Sequence, residues 1–395
     1  MRCAPASSTP TGATVSRRTE SRGAAHSPSR AQPGVTRCRG PWWLITFVAL
    51  VWGAGARAEQ APPSRGDLLV FASAEGYRLA DSEVFDDDVD GVLTTDLLGS
   101  WTTGRFRVMG ELFVTTEEQD LERLQAGWEI RPDTLLWLGR FHQPGSFWNT
   151  RYHHGQFLQT SISRPSIESW EDDSGVLPQH VMGALFESRV PLGESGGVSL
   201  ALSAGLGPLL RDHELHPVEI FNPDSRPRGG SFAVQASFLP DYSSNDGVGM
   251  LASHTEVMLD DAVRPYGADC VDLDVIGLFF DFAPGRWRIT STTYWVHSDF
   301  DGTAGGGSDS FVSGYLQAQR TFGDRFTALA RFEASANADD SAYVALFEDF
   351  VEQRKVVDLR WDFARRHALT VEWADTDTLR DRYHEYRLQW SAALR

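Results

Sequence analysis

The sequence predicts an all-β protein: a transmembrane antiparallel up-and-down β-barrel of about sixteen strands with one long infolded loop. Three observations carry this reading. Beyond residue 66, apolar and polar residues alternate in segments of about ten, the length a tilted strand needs to cross a bilayer. Aromatic residues, among them Trp101, Trp128, Trp287, Trp295, Phe322, Phe363 and Trp390, sit near the ends of these segments, where the two membrane interfaces fall. Short turns alternate with longer polar connections, as in barrels whose two rims differ.

The N-terminal region is of another kind. Residues 1–35 are rich in Ser, Arg, Pro and Ala; the apolar run Trp42 to Trp52 follows Arg37 and Arg39 and precedes Ala56-Arg57-Ala58. Charged, apolar and small-residue parts in that order are those of a secretory signal peptide, with cleavage expected after Ala58. The run is too short to cross about 30 Å of hydrocarbon as a helix. Two regions are therefore expected, 1–58 as an extended n-region and signal peptide and 59–395 as the barrel. The latter has no apolar stretch for a spanning helix, so a membrane crossing has to be made by a closed barrel, in which every backbone group finds a partner.

The chain carries a net charge of -18. Residues 1–58 hold eight arginines and one glutamate, which leaves about -25 on 59–395. So acidic a chain argues against nucleic acid as a partner. With Cys3 and Cys38 in the leader, Cys270 is expected to be a lone structural thiol, and stability has to come from the β ladder.

The alternation is plainest near the C-terminus. Val357, Leu359, Trp361 and Phe363 share one face and Asp358, Arg360 and Asp362 the other. Leu369, Val371 and Trp373 repeat it against Thr370 and Glu372; Leu388, Trp390, Ala392 and Leu394 do so against Arg387, Gln389 and Ser391. Phe326, Ala328, Ala330 and Phe332 oppose Arg331 and Glu333. Tight turns are expected near Gly104, Arg131 to Asp133, Leu192 to Gly196, Pro240 to Asp246, Pro284 to Arg286, Gly323-Asp324 and Ala364 to His367. Longer loops are expected at roughly 78–91, 116–120, 143–179, 208–229, 259–271, 298–309, 335–353 and 376–383. Seven turns and eight loops join sixteen strands and place both termini on the same side. Tyr343 to Val351 is expected to be loop with a short helix, not a strand.

The least ordinary stretch is Gly139 to Pro178, most of it the long loop expected at 143–179. Phe141, Phe147, Trp148, Phe157, Leu158 and Trp170 are too apolar for an exposed loop, and the shelter available to it is the lumen. Gly139-Arg140-Phe141, Trp148-Asn149-Thr150, His153-His154-Gly155 and the run Leu158 to Pro165 together resemble the porin-like outer-membrane proteins of proteobacteria, distant relatives of the phosphate-selective porins. The likeness extends over most of 67–394. It departs at Arg395, where such barrels end on an aromatic residue, leaving Trp390 or Leu394 as the assembly signal.

What the resemblance implies is passive diffusion of small hydrophilic solutes or ions through a barrel in the Gram-negative cell outer membrane, reached through the periplasm. Its partners would be outer-membrane lipid and lipopolysaccharide, the assembly machinery and a homotrimer. A plugged structural or adhesive surface barrel is the alternative, and a barrel hydrolase a third reading. No enzymatic activity and no cofactor are expected: no strained Ser turn is present, and the adjacent His153 and His154 point to opposite faces of an extended chain, a poor metal pair. Pore-constriction candidates are Arg140, His153, His154, Arg164, Glu168, Glu171, Asp172, Asp173, Arg331, Arg360 and Arg387. Arg140, Arg331, Arg360 and Arg387 facing the acidic loop residues Glu168, Glu171, Asp172 and Asp173 would set a transverse field; the plainer reading has these arginines solvate the lumen wall and pair with Glu333, Asp358, Asp362 and Glu372. The acidic charge favours cations and the phosphate-porin likeness anions.

Overall fold

Several strands reverse where a residue enters the left-handed region, as at Gly104 (φ +58°) and Asp133 (φ +58°), positions where glycine or a short polar residue carries least steric cost. The computed structural model describes residues 64–84, 89–152, 156–171, 175–221, 226–244, 246–302, 307–347 and 349–394. The expected signal peptide and Arg395 lie outside them. The strands are β1 (Arg65–Ala80), β2 (Val89–Thr103), β3 (Phe106–Thr115), β4 (Gln119–Arg131), β5 (Thr134–His142), β6 (His180–Leu192) and β7 (Gly196–Leu206). A small hairpin of β8 (Leu209–Arg211) and β9 (Glu214–His216) precedes β10 (Gly230–Leu239), β11 (Gly247–Leu259), β12 (Ala268–Phe282), β13 (Trp287–Gly302) and β14 (Ser308–Phe322). The series ends with β15 (Phe326–Ala336), β16 (Val351–Ala364), β17 (His367–Thr378) and β18 (Arg382–Leu394).

Apart from β8 and β9, every strand pairs antiparallel with its chain neighbours, β7 with β10 across the small hairpin, and β1 pairs with both β2 and β18. The result is a closed sixteen-stranded barrel, with no edge left open. The seven turns and eight connections fall where the alternation places them, and Val344–Leu346 is a short 3-10 helix before β16. Two details differ. Several loops are shorter than expected, because β12 starts at Ala268, β13 runs to Gly302 and β17 to Thr378; polar strand continues past the lipid zone, where apolar alternation stops. The 208–229 connection contains β8 and β9, and Leu209 and Leu210 of β8 pair in parallel with Met258 and Leu259 at the end of β11.

The outer face is apolar. Leu278 (63% exposed), Val371 (54%), Val357 (52%) and Leu388 (51%) stand outward, while their strand neighbours Thr370, Glu372, Asp358 and Gln389 are buried inside. So continuous a hydrophobic belt is incompatible with water as its solvent. At one border, rings form a ribbon: Phe326 on Trp361 (6.1 Å), Trp361 on Phe363 (5.6 Å), Phe363 on His367 (5.9 Å) and His367 on Trp390 (5.8 Å). At the other, Trp295 stacks on His297 and Trp373 meets His384. Two aromatic girdles bounding an apolar band are what a bilayer selects. Among the described residues no helix is long and apolar enough to span a membrane. Cys270 is buried on β12; Cys3 and Cys38 lie outside the described residues.

Candidate functional site: the segment that crosses the lumen

Between β5 and β6 the chain turns into the barrel. The ladder continues one step, from Gln143 N–H to Gln179 C=O (2.7 Å), and described residues between them pack against inward-facing side chains of the wall. A short helix, α1 (Phe147–Arg151), and 3-10 turns at Gln156–Leu158 and Ser166–Glu168 are its regular parts. Its burial follows its composition. Trp148 (0% exposed), Tyr152, Ile167, Val176 and Leu177 join inward-facing Leu251, Val275, Phe279, Tyr294, Phe311 and Tyr315 of β11 to β14 in one apolar cluster, to which Tyr343, Phe347 and Phe350 of the 337–350 connection add. Phe141 and Trp170 are buried as expected; Leu158 is exposed instead, and Phe157 is half-buried against Arg360 (4.8 Å). Glu168 lies within this core. Its Oε1 accepts hydrogen bonds from Ser146 Oγ and Tyr294 OH, the latter at 3.0 Å, and burial raises its pKa.

The far side of the segment is held by polar contacts. On β15, Arg331 pairs with Glu333 (2.7 Å) and donates to Ser161 Oγ (3.1 Å), Ser163 C=O (3.1 Å), Ser163 Oγ (2.9 Å) and Arg164 C=O (3.0 Å). Glu333 accepts from Ser166 N–H (2.7 Å). On β17, Glu372 accepts from Ile162 N–H (2.8 Å) and Ser163 N–H (3.1 Å). On β16, Arg360 donates to Phe157 C=O (2.8 Å) and Gln159 C=O and pairs with Asp362 (2.9 Å). In a ring of sixteen, β16 stands eight strands from β6 in either direction. The segment is thus rooted at one wall and tied to the opposite one.

A third group lies at the root. Two irregularities build it: a register shift between β3 and β4 at Glu111/Phe113 and Gly139 with φ +136°. A side chain on Gly139 would put its Cβ 2.1 Å from Leu124 O, so glycine is required there. The strand turns over at that point: Leu138 is lipid-exposed, whereas Arg140, two residues on, is 1% exposed. Arg140 pairs with Asp120 (2.6 Å) and Glu219 (3.5 Å) and approaches Glu122 (4.0 Å). Burial and the Asp120 carboxylate raise the pKa of Glu219, against the pull of Arg140. His180 meets Glu171 at Nδ1 (2.6 Å) and Glu122 at Nε2 (2.8 Å), with Trp170 stacked on it at 5.4 Å and Arg164 over Trp170 at 3.8 Å. His142 joins them, and one ligand atom each from Glu122, His142 and His180 lies within 4.8 Å of the others.

The described constriction candidates fall into four groups. Arg331 and Arg360 bind the segment's main chain and their wall acids, not its carboxylates. Arg140, Arg164 and Glu171 meet in the root group, while Glu168 is in the apolar core, its C=O accepting from Arg164 Nε (2.8 Å). Arg387 pairs with Glu75 (2.9 Å) and Glu385 (2.8 Å) on β1 and β18. His153, His154, Asp172 and Asp173 lie outside the described residues. Asp120, Glu122, His142, His180 and Glu219 escaped the sequence reading because they sit on separate elements with no shared spacing. The one available signal was a histidine on each side of the infolded run.

A closed barrel with a lipid-matched exterior and a segment folded across its interior is the architecture of the bacterial outer-membrane porins, to which the chain is distantly similar. No family model matches the chain and no curated protein matches it. Solved structures do. An anion-selective porin from Comamonas acidovorans is 11% identical, with a TM-score of 0.54 over 84% of this chain and 100% of its own. OmpT, an outer membrane protein of Vibrio cholerae, in its trimer form is 8% identical, TM-score 0.53, over 84% and 100%; its loop L8 deletion mutant is 9% identical, TM-score 0.52, over 84% and 99%. At these identities the likeness establishes the fold alone.

Proposed function

We propose that the chain is an outer-membrane porin of a Gram-negative cell, a non-enzymatic channel for passive diffusion of small hydrophilic solutes or ions, with 143–179 as its constriction. The observation that carries this reading is the tie between that segment and the opposite wall through Arg331, Glu333, Arg360 and Glu372. A segment anchored at both walls narrows the lumen to an aperture lined by charged groups, whose local field sorts ions. The apolar belt and girdles fit lipid and lipopolysaccharide; export follows from a signal cleaved after Ala58, and the outer-membrane assembly machinery inserts the barrel. The trimer form of the Vibrio cholerae protein supports a homotrimer here.

The large apolar cluster inside the barrel favours a second reading, a structural or adhesive surface barrel with a plugged lumen. Single-channel conductance in a planar bilayer separates the two, using residues 59–395 and a variant lacking Gln156 to Asp173. Discrete steps that enlarge on deletion are expected of the channel. Silence from both proteins, shown to be folded and inserted, overturns it in favour of the plug, and hydrolysis of peptide or lipid by the intact barrel would revive the enzyme reading.

A further inference from the structure

We infer that the root of the infolded segment is a binding site for a divalent transition-metal ion, with Glu122, His142 and His180 as ligands. The three come from β4, the last residue of β5 and the first residue of β6, and all are buried. Imidazole and carboxylate ligands, two nitrogens and one oxygen, are a set that zinc-like ions take in sites keeping an open position.

The surroundings prepare both imidazoles. His142 Nδ1 lies 3.3 Å from the Asn149 carbonyl, which can only accept; the proton is therefore on Nδ1, and Nε2 carries the lone pair. His180 Nδ1 is 2.6 Å from Glu171 Oε2, the carboxylate–histidine arrangement that fixes the ring and raises the basicity of the other nitrogen. That other nitrogen, Nε2, faces Glu122 Oε2 at 2.8 Å. Each histidine thus has an outer partner at Nδ1, and the partners Asn149 and Glu171 both belong to the infolded segment. The rings lie 4.8 Å apart between centroids, and Trp170 covers them, 5.4 Å from His180 and 5.1 Å from His142.

Ligand atoms on a tetrahedral ion are about 3.3 Å apart, given bonds of about 2.0–2.1 Å, so a group within 4.8 Å closes onto the ion by side-chain movements on the order of 1 Å. The ion would replace the direct contact of 2.8 Å between His180 Nε2 and Glu122 Oε2. Arg140 is the neighbouring cation, 4.0 Å from Glu122, and its charge is balanced by Asp120 and Glu219. The occupied site would pin the segment's two ends together, independently of whether the lumen conducts.

The test uses the tag-free folded barrel in detergent, with Zn²⁺ titrated calorimetrically and Co²⁺ as an optical probe. One ion per chain is expected, with at least tenfold weaker binding in His142→Gln and Glu122→Gln and roughly 10–100-fold weaker binding in Glu171→Gln, each variant retaining heat-modifiable migration. X-ray absorption of the zinc-loaded wild type supplies a readout that needs no variant: two imidazoles in the first shell are expected. Absence of stoichiometric binding, binding by His142→Gln and Glu171→Gln as tight as that of the wild type, or a shell without imidazole overturns the assignment.

Discussion

Along β11 to β14 the infolded segment rests on side chains that repel water, and along β15 to β17 it rests on side chains that need partners. The first wall meets Trp148, Tyr152 and Ile167 with Phe279, Tyr294, Phe311 and Tyr315. Such burial is strong but non-directional, tolerating small shifts of one surface on the other. The second wall meets main-chain N–H and C=O groups with Glu333, Glu372, Arg331 and Arg360, contacts that require one register. The contrast assigns holding strength to one wall and aim to the other.

Breaking the polar side is expected to have the largest effect. Arg331→Ala strips several hydrogen bonds from 161–164 and strands Glu333 as a buried charge, a loss of about 3–5 kcal/mol; fast hydrogen exchange over 157–166 and noisier conductance steps are expected, with no change at Trp148. Trp148→Ala empties the apolar side at a cost of up to about 3–5 kcal/mol. It should loosen 146–152 by limited proteolysis and leave the Glu372 contacts protected. If both variants free the whole segment alike, the two walls do not act separately.

Glu168 sharpens the apolar half. Its pKa is raised in the folded chain, so the folded state keeps its proton at pH values where the unfolded chain has lost it. Stability from this group is therefore full below the usual glutamate range and falls as pH rises toward and through the folded value, by about 1.4 kcal/mol for each pH unit crossed between the two. Thermal unfolding of the segment, followed by exchange or fluorescence, should lose that slope in Glu168→Gln. The smallest effect belongs to Ile167→Val, about 0.5–1.5 kcal/mol, visible only in exchange rates near α1.

The barrel was legible because its two periods are simple. Turns at Gly104, Asp133 and Gly323 announce themselves chemically, and alternation such as Val357 to Phe363 fixes which face meets lipid. The reach of 143–179 was legible from its excess of aromatics. Two things were not. β8 and β9 are three residues each, too short for any period to show. The root group depends on Gly139 turning over its strand and on a register shift near Glu122; both break the alternation from which side-chain direction is inferred, so Arg140 points inward where its parity with Leu138 points out. On the far wall, Arg331 and Arg360 each pair with an acid two residues along their own strand, Glu333 and Asp362, and Arg140 at the root pairs with Asp120 and Glu219; these partners lie on separate elements or on the wall itself, where no loop spacing announces them.

The pairing of β1 with β18 has a consequence for the assembly of the ring. Other neighbours are joined by hairpins or modest connections, yet the closing contact between Glu75 and Arg387 spans 312 positions. Joining ends tenfold farther apart along a flexible chain costs about 2 kcal/mol more, so this seam is the costliest of the ring's pairings to close. Until it closes, β1 and β18 each present an unsatisfied row of amides and carbonyls. The ring has no open edge toward hydrocarbon only when the first and last strands are paired.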